Sequence, residues 1–175
     1  MSLTILSTSL VTQIKSTLAT PAPIFRPISE IQKKLPTDII MRLPAYVPTH
    51  GRKFYPFYKS KNQMVSIILR SSPTESCEEF SNCIAVHFSV YKPDSLEVRE
   101  LKDRIQVNHT ENIVLKSNVR AIYGFEIFES HVVDKYVIWE QDKFVFHISS
   151  GYLSRQEIIN VAKSMAKEPL IRSAR

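Results

Sequence analysis

Five histidines, two cysteines and 17 carboxylates are the side chains through which this 175-residue chain could do chemistry. The histidines are His50, His87, His109, His131 and His147. No pair of them has the His-x-x-x-His spacing that puts two imidazoles on one helix face, and Cys77 and Cys83 do not form Cys-x-x-Cys. The sequence therefore predicts no metal site. His87 and His147 lie in alternating segments and could meet across a sheet, although surface or hydrogen-bonded strand histidines are the plainer expectation. No serine stands in a Gly-x-Ser-x-Gly elbow. Cys77 is crowded by Glu75, Glu78 and Glu79, whose negative field disfavours the thiolate a nucleophile needs. Paired carboxylates could serve a glycosidase, but Glu75–Glu79 and Asp94–Asp103 read as solvated turns. Trp139 and the tyrosines could stack on sugar rings, yet their positions within alternating runs favour the core. Asn108-His109-Thr110 matches a glycosylation sequon. The sequence thus names no catalytic residue and no cofactor-binding residue.

Glycine is scarce, with only Gly51, Gly124 and Gly151. Phosphate-cradling loops need several glycines close together, so a dinucleotide fingerprint and a Walker loop are both absent. The net charge is +6, and residues 1–60 carry all of it, with eight basic and two acidic side chains. The nearest approach to a nucleic-acid surface is Arg52-Lys53-Phe54-Tyr55-Pro56-Phe57-Tyr58-Lys59. It reads instead as a loop entering a strand with aromatics turned inward, so no nucleic-acid partner is expected.

The elements that must position these groups divide the chain into three parts. Residues 1–27 form an arm and a Pro-rich connector. Leu3, Leu6, Leu10, Ile14 and Leu18 have helical spacing among many Ser and Thr, giving an amphipathic helix or a loosely ordered arm that could join copies of the chain. This segment is too polar for a signal peptide core, and no transmembrane segment is expected. Residues 28–168 form one domain, and 169–175 a tail. The domain opens with a short helix, capped by Ser29 and stopped by Pro36. Asp38 to Val47 reads as a strand broken at Pro44.

Period-two alternation then takes over in Met64–Arg70, Ile84–Tyr91, Ala121–Phe128, Tyr136–Trp139 and Phe144–Ser149. Leu96–Val107 reads as a polar strand or a short helix, and Ile113–Leu115 as a brief strand. Glu140-Gln141-Asp142-Lys143 is a hairpin turn. Ser154-Arg155-Gln156-Glu157 is a capping box, with Leu153 and Ile158 placed as its hydrophobic staple. Ile158, Ile159, Ala162, Met165 and Ala166 make one apolar stripe on the helix that follows. The expected fold is α+β: an antiparallel β-meander sheet with the C-terminal amphipathic helix packed on one face and a short N-terminal helix.

Tyr136 to Met165, a Trp strand, a hairpin, an aromatic strand and a Leu-Ser-x-x-Glu helix, resembles the ending of DUF4367-type domains. Leu43-Pro44-Ala45-Tyr46-Val47-Pro48 is similar to their opening segment, so the likeness extends over roughly 28–168. The arrangement also resembles uncharacterised secreted proteins of cyanobacterial type. The resemblance implies an extracytoplasmic place, periplasmic, secreted or envelope-associated, and no established catalysis or cofactor. Cys77 and Cys83 are the only cysteines, five residues separate them, and the loop between is polar. They are expected to form a disulfide, which would persist in the oxidising compartment to which the resemblance points. The expected function is a non-catalytic domain binding a protein partner or envelope ligand. The alternative is an envelope-polymer hydrolase, which a cleft bringing His87 to an acid would favour.

Overall fold

A computed structural model describes residues 21–61, 63–73, 83–107, 109–129 and 131–174. The arm of residues 1–20, Cys77 and Asn108 lie outside the described residues. So do the arm's expected contacts with another copy and the Cys77 half of the expected disulfide.

Seven antiparallel strands form one sheet: β1 (Tyr55–Lys61), β2 (Met64–Arg70), β3 (Ile84–Tyr91), β4 (His109–Lys116), β5 (Val119–Phe128), β6 (His131–Gln141) and β7 (Phe144–Ser150). Their order across the sheet is β1-β2-β3-β7-β6-β5-β4. The expected α+β class holds, but the meander is double. β1 to β3 and β4 to β7 are two runs of hairpins, joined where β3 pairs with β7. The helix α2 (Leu96–Val107) carries the chain from β3 to the far edge at β4. Its amphipathic signal is Val98, Leu101 and Ile105, with Ser95 Oγ accepting from the Val98 N–H at 3.3 Å. Of the two readings open for 96–107, the helical one is observed.

One face of the sheet is apolar across its central rows. A cross-strand row of Val65, Val90, Phe146, Trp139, Ala121 and Ile113 lies beside a second row of Ile67, Phe88, Ile148, Val137 and Tyr123. The helix α3 (Arg155–Lys167) covers this face over β4, β6 and β7 with Ile158, Val161, Ala162 and Met165, none of them exposed. Its start is the expected capping box: Glu157 N–H donates to Ser154 Oγ at 3.4 Å, and Ser154 N–H to the Glu157 carboxylate at 2.8 Å. Trp139 stacks on Phe146 with centroids 5.3 Å apart and is a core residue. Ala22, Phe25, Ile31 and Leu35 extend the same core, Phe25 meeting Phe88 edge-on at 5.6 Å. Ile171 joins it from the C-terminal side, exchanging backbone hydrogen bonds of 2.8 and 2.9 Å with Met41.

Two local expectations are corrected. The segment 38–47 is not a strand; among the described residues its only bridge is Met41 to Ile171. Pro36, Pro44 and Pro48 remove ladder donors, and Ile39, Ile40, Met41 and Leu43 are all buried rather than alternating. The first helix, α1 (Ile28–Lys34), is preceded by Pro27 and has no side-chain cap, so Ser29 lies inside it. The Asp142-Lys143 turn is as expected, with φ of 54° and 64° giving the doubly left-handed geometry of a two-residue hairpin.

Candidate functional site

The opposite face of the sheet has a different chemistry. Its central rows read Phe57, Ile68, His87, Ser149, Tyr136, Gly124 and, one step along the strands, Lys59, Ser66, Ser89, His147, Ile138, Ile122. Alternation within each strand assigns these residues to one face; pairing of β3 with β7 brings His87 opposite Ser149 and Ser89 opposite His147. The α2 residues Val98 and Leu101 cover part of this face, with Tyr91, Tyr136, Ile138 and Val145.

The two strand histidines do share a face, as their alternation allowed, on neighbouring strands one step apart. Ser89 Oγ lies 3.0 Å from His87 Nε2 and 3.3 Å from Ser66 Oγ. Ser89 and Ser66 are buried. Burial holds the His87 imidazole down at about 4, with the positive charge of Lys59 adding to the effect. His147 is buried further and held at about 3, with His87 and Arg104 acting in the same sense. Its Nδ1 has no hydrogen-bond partner among the described residues, and its ring lies between Tyr91 and Tyr136 at centroid distances of 6.5 and 6.2 Å. Both imidazoles are neutral at pH 7.

Where this face meets the ends of β3, β6 and β7, a cavity of about 810 Å³ opens. His87, Asp134 and Ser149 line it, with Arg52 and Tyr152 on the wall formed by the loop before β1 and the chain after β7. Burial raises the Asp134 carboxyl above the ordinary range and the neighbouring Glu126 pushes the same way. The backbone N–H of Lys135, donating at 3.0 Å, and the Ser149 hydroxyl oppose the rise. Asp134 forms no ion pair among the described residues. Arg52 lies over the Tyr152 ring, 5.1 Å from its centroid, while Tyr152 donates its hydroxyl proton to the Thr49 carbonyl at 2.8 Å. Gly151 closes the cavity floor against β6: a Cβ there would come within 2.8 Å of the Val133 carbonyl oxygen.

Of the remaining histidines, His50 pairs with Glu157 at 2.8 Å behind the cavity wall, its ring 5.4 Å from that of Tyr152, and His109 stacks on Phe125 at 5.2 Å. Cys83 lies on the cavity wall at the start of β3. Three cavity residues escaped the sequence reading as a group. Asp134 carried a faint signal, an acid between Val133 and Lys135 in a strand, where Asp is disfavoured. Arg52 stood in the basic loop, and Ser149 was marked only by alternation. Among the described residues no cluster of three or more His, Cys, Asp or Glu side chains has a metal-binding arrangement. No described helix is long and apolar enough to cross a membrane.

Comparison with curated proteins and with solved structures gives no match. The resemblance expected from the hairpin and the capped helix is found over a narrower span than 28–168 and excludes the Leu43–Pro48 segment. Residues 90–165, from the end of β3 through α2, four strands and most of α3, match the family model described as a domain of unknown function, DUF4367.

Proposed function

We propose that this chain is a non-catalytic extracytoplasmic domain that binds a small ligand or partner group in the cavity beside His87 and Asp134. The observation that carries this reading is the cavity itself. About 810 Å³ is the size of a small-molecule site, and its walls mix apolar side chains with a few convergent polar groups. The arrangement favours binding over catalysis. The hydroxyl that His87 meets through Nε2 belongs to Ser89, which is 0% exposed, so it cannot reach a substrate in the cavity. The extracytoplasmic place is supported by the two cysteines, with five residues between them, and by the family resemblance. A Cys77–Cys83 bond is part of the proposal.

The hydrolase reading keeps one specific support, that His87 and Asp134 line the same cavity. A thermal-shift screen of small polar compounds, followed by mass spectrometry of each hit after incubation with the protein, separates the two. Stabilising hits recovered intact are expected; hits consumed by the wild type and spared by Asp134→Asn would establish the hydrolase instead. An absence of hits would remove the ligand site. For the compartment, protein from its native host should show no free thiol before reduction. Two alkylated thiols in the unreduced protein would end the extracytoplasmic argument.

A further inference from the structure

The cavity holds two opposite charges that do not satisfy each other. Arg52 has a guanidinium with five donors, held over Tyr152, and among the described residues those donors meet no acceptor. Asp134 is a partly buried carboxylate with no ion pair among the described residues, and the charge of Lys135 next to it only partly offsets its burial. Its hydrogen bonds from the Lys135 N–H and the Ser149 hydroxyl leave acceptor capacity on its oxygens. Glu126, its register partner on β5, adds like charge and is itself engaged by Arg104 at 3.5 Å. A buried carboxylate without a paired cation is costly, and with the Lys135 charge too weak to undo the rise that burial causes, a cationic group in the cavity would complete the compensation. The Arg52 side, conversely, calls for an anion. His87 lines the same cavity and, with Nε2 committed to Ser89, has Nδ1 left to bond a polar group of a ligand.

We propose that the cavity takes a small zwitterion of the amino-acid or short-peptide class, its ammonium group against the Asp134 carboxylate and its carboxylate against the Arg52 guanidinium. This rests on the reading of the cavity as a ligand site. The two protein charges set polarity and selectivity, because a ligand lacking either terminus leaves one of them uncompensated. Phe54, Ile84 and Val133 supply the apolar wall for side chains.

The test is calorimetric titration of the whole chain with alanyl-alanine, its N-acetylated form, its C-terminal amide, and free alanine. The free dipeptide or alanine should bind, and each blocked dipeptide should bind about tenfold or more weakly than the free one. Asp134→Asn should erase the penalty for N-acetylation and leave that for amidation. Arg52→Gln, at the exposed rim where folding is not at stake, should do the reverse. Equal affinities for free and blocked dipeptides would overturn the zwitterion while leaving the ligand site standing. No binding by any of the four probes also overturns it, and the compound screen then decides separately whether the cavity binds anything.

Discussion

The two faces of the sheet are built from the same strands and follow opposite rules. Under α3, every central position is aliphatic or aromatic, the rows interdigitate, and nothing polar interrupts them. On the other face the same strands present Ser66, His87, Ser89, His147 and Ser149, largely buried, with an orphan imidazole nitrogen and a cavity at one end. Apolar burial contributes stability roughly in proportion to area, whereas buried polar groups at best recover what desolvation costs them. One face therefore holds the fold together, and the other spends stability to keep polar groups in place. Such an investment is what a binding surface requires.

The contrast predicts mutational effects of different size and different pH dependence. The largest belongs to the apolar face. Phe146→Ala, between Val90 and Trp139, should cost ~3–5 kcal/mol in denaturant unfolding. A loss near 1 kcal/mol would mean that this face is not the dominant core.

Next comes acid sensitivity, which belongs to the histidine face. Both imidazoles titrate lower folded than unfolded, from an ordinary 6.5 to about 4 for His87 and about 3 for His147. The unfolded chain therefore binds protons first. The contribution of the neutral imidazoles is complete above pH 6.5 and falls as the pH drops toward 4, by on the order of 3 kcal/mol for His87 alone. His147→Phe should flatten the decline between pH 6.5 and 4 in a series of urea melts. An unchanged slope in that variant would show that His147 contributes nothing and that His87 or carboxylates elsewhere cause the decline.

A smaller effect comes from packing on the same face. Tyr136 lies over Gly124, and a methyl group there would overlap its ring. Gly124→Ala should therefore cost ~1–3 kcal/mol by displacing Tyr136, with a change in tyrosine fluorescence. If the variant is neutral, the ring has room to move and this face is looser than its burial suggests. The smallest effect is local to α3. Ser154→Ala removes one half of the capping box and should cost ~1 kcal/mol whatever the pH, read as a shift in thermal midpoint.

Much of this architecture was legible in the residues. Alternation marked Ile84–Tyr91 and Phe144–Ser149 as strands, and Ser154 with Glu157 marked the start of α3, because both signals are local and concern groups a few residues apart. The segment 38–47 misled because its aliphatic residues are buried without a ladder, a state in which β-branched composition carries no strand meaning. The helix at 96–107 was ambiguous because its apolar stripe is narrow, three residues among charged neighbours.

The sequence by itself determined that the protein has two kinds of strand face, a capped amphipathic helix to cover one of them, and none of the glycine-rich loops that phosphate binding needs. Alternation says which side chains share a face of one strand; it is silent on which strand lies alongside. Only the tertiary structure decided that β3 pairs with β7, because α2 carries the intervening chain to the opposite edge of the sheet. That single pairing sets His87 opposite Ser149, and the β6–β7 hairpin then brings Asp134 to the same cavity. Arg52 reaches it from the other wall through Tyr152. The candidate site is a product of long-range packing, and no local pattern in the chain encodes it.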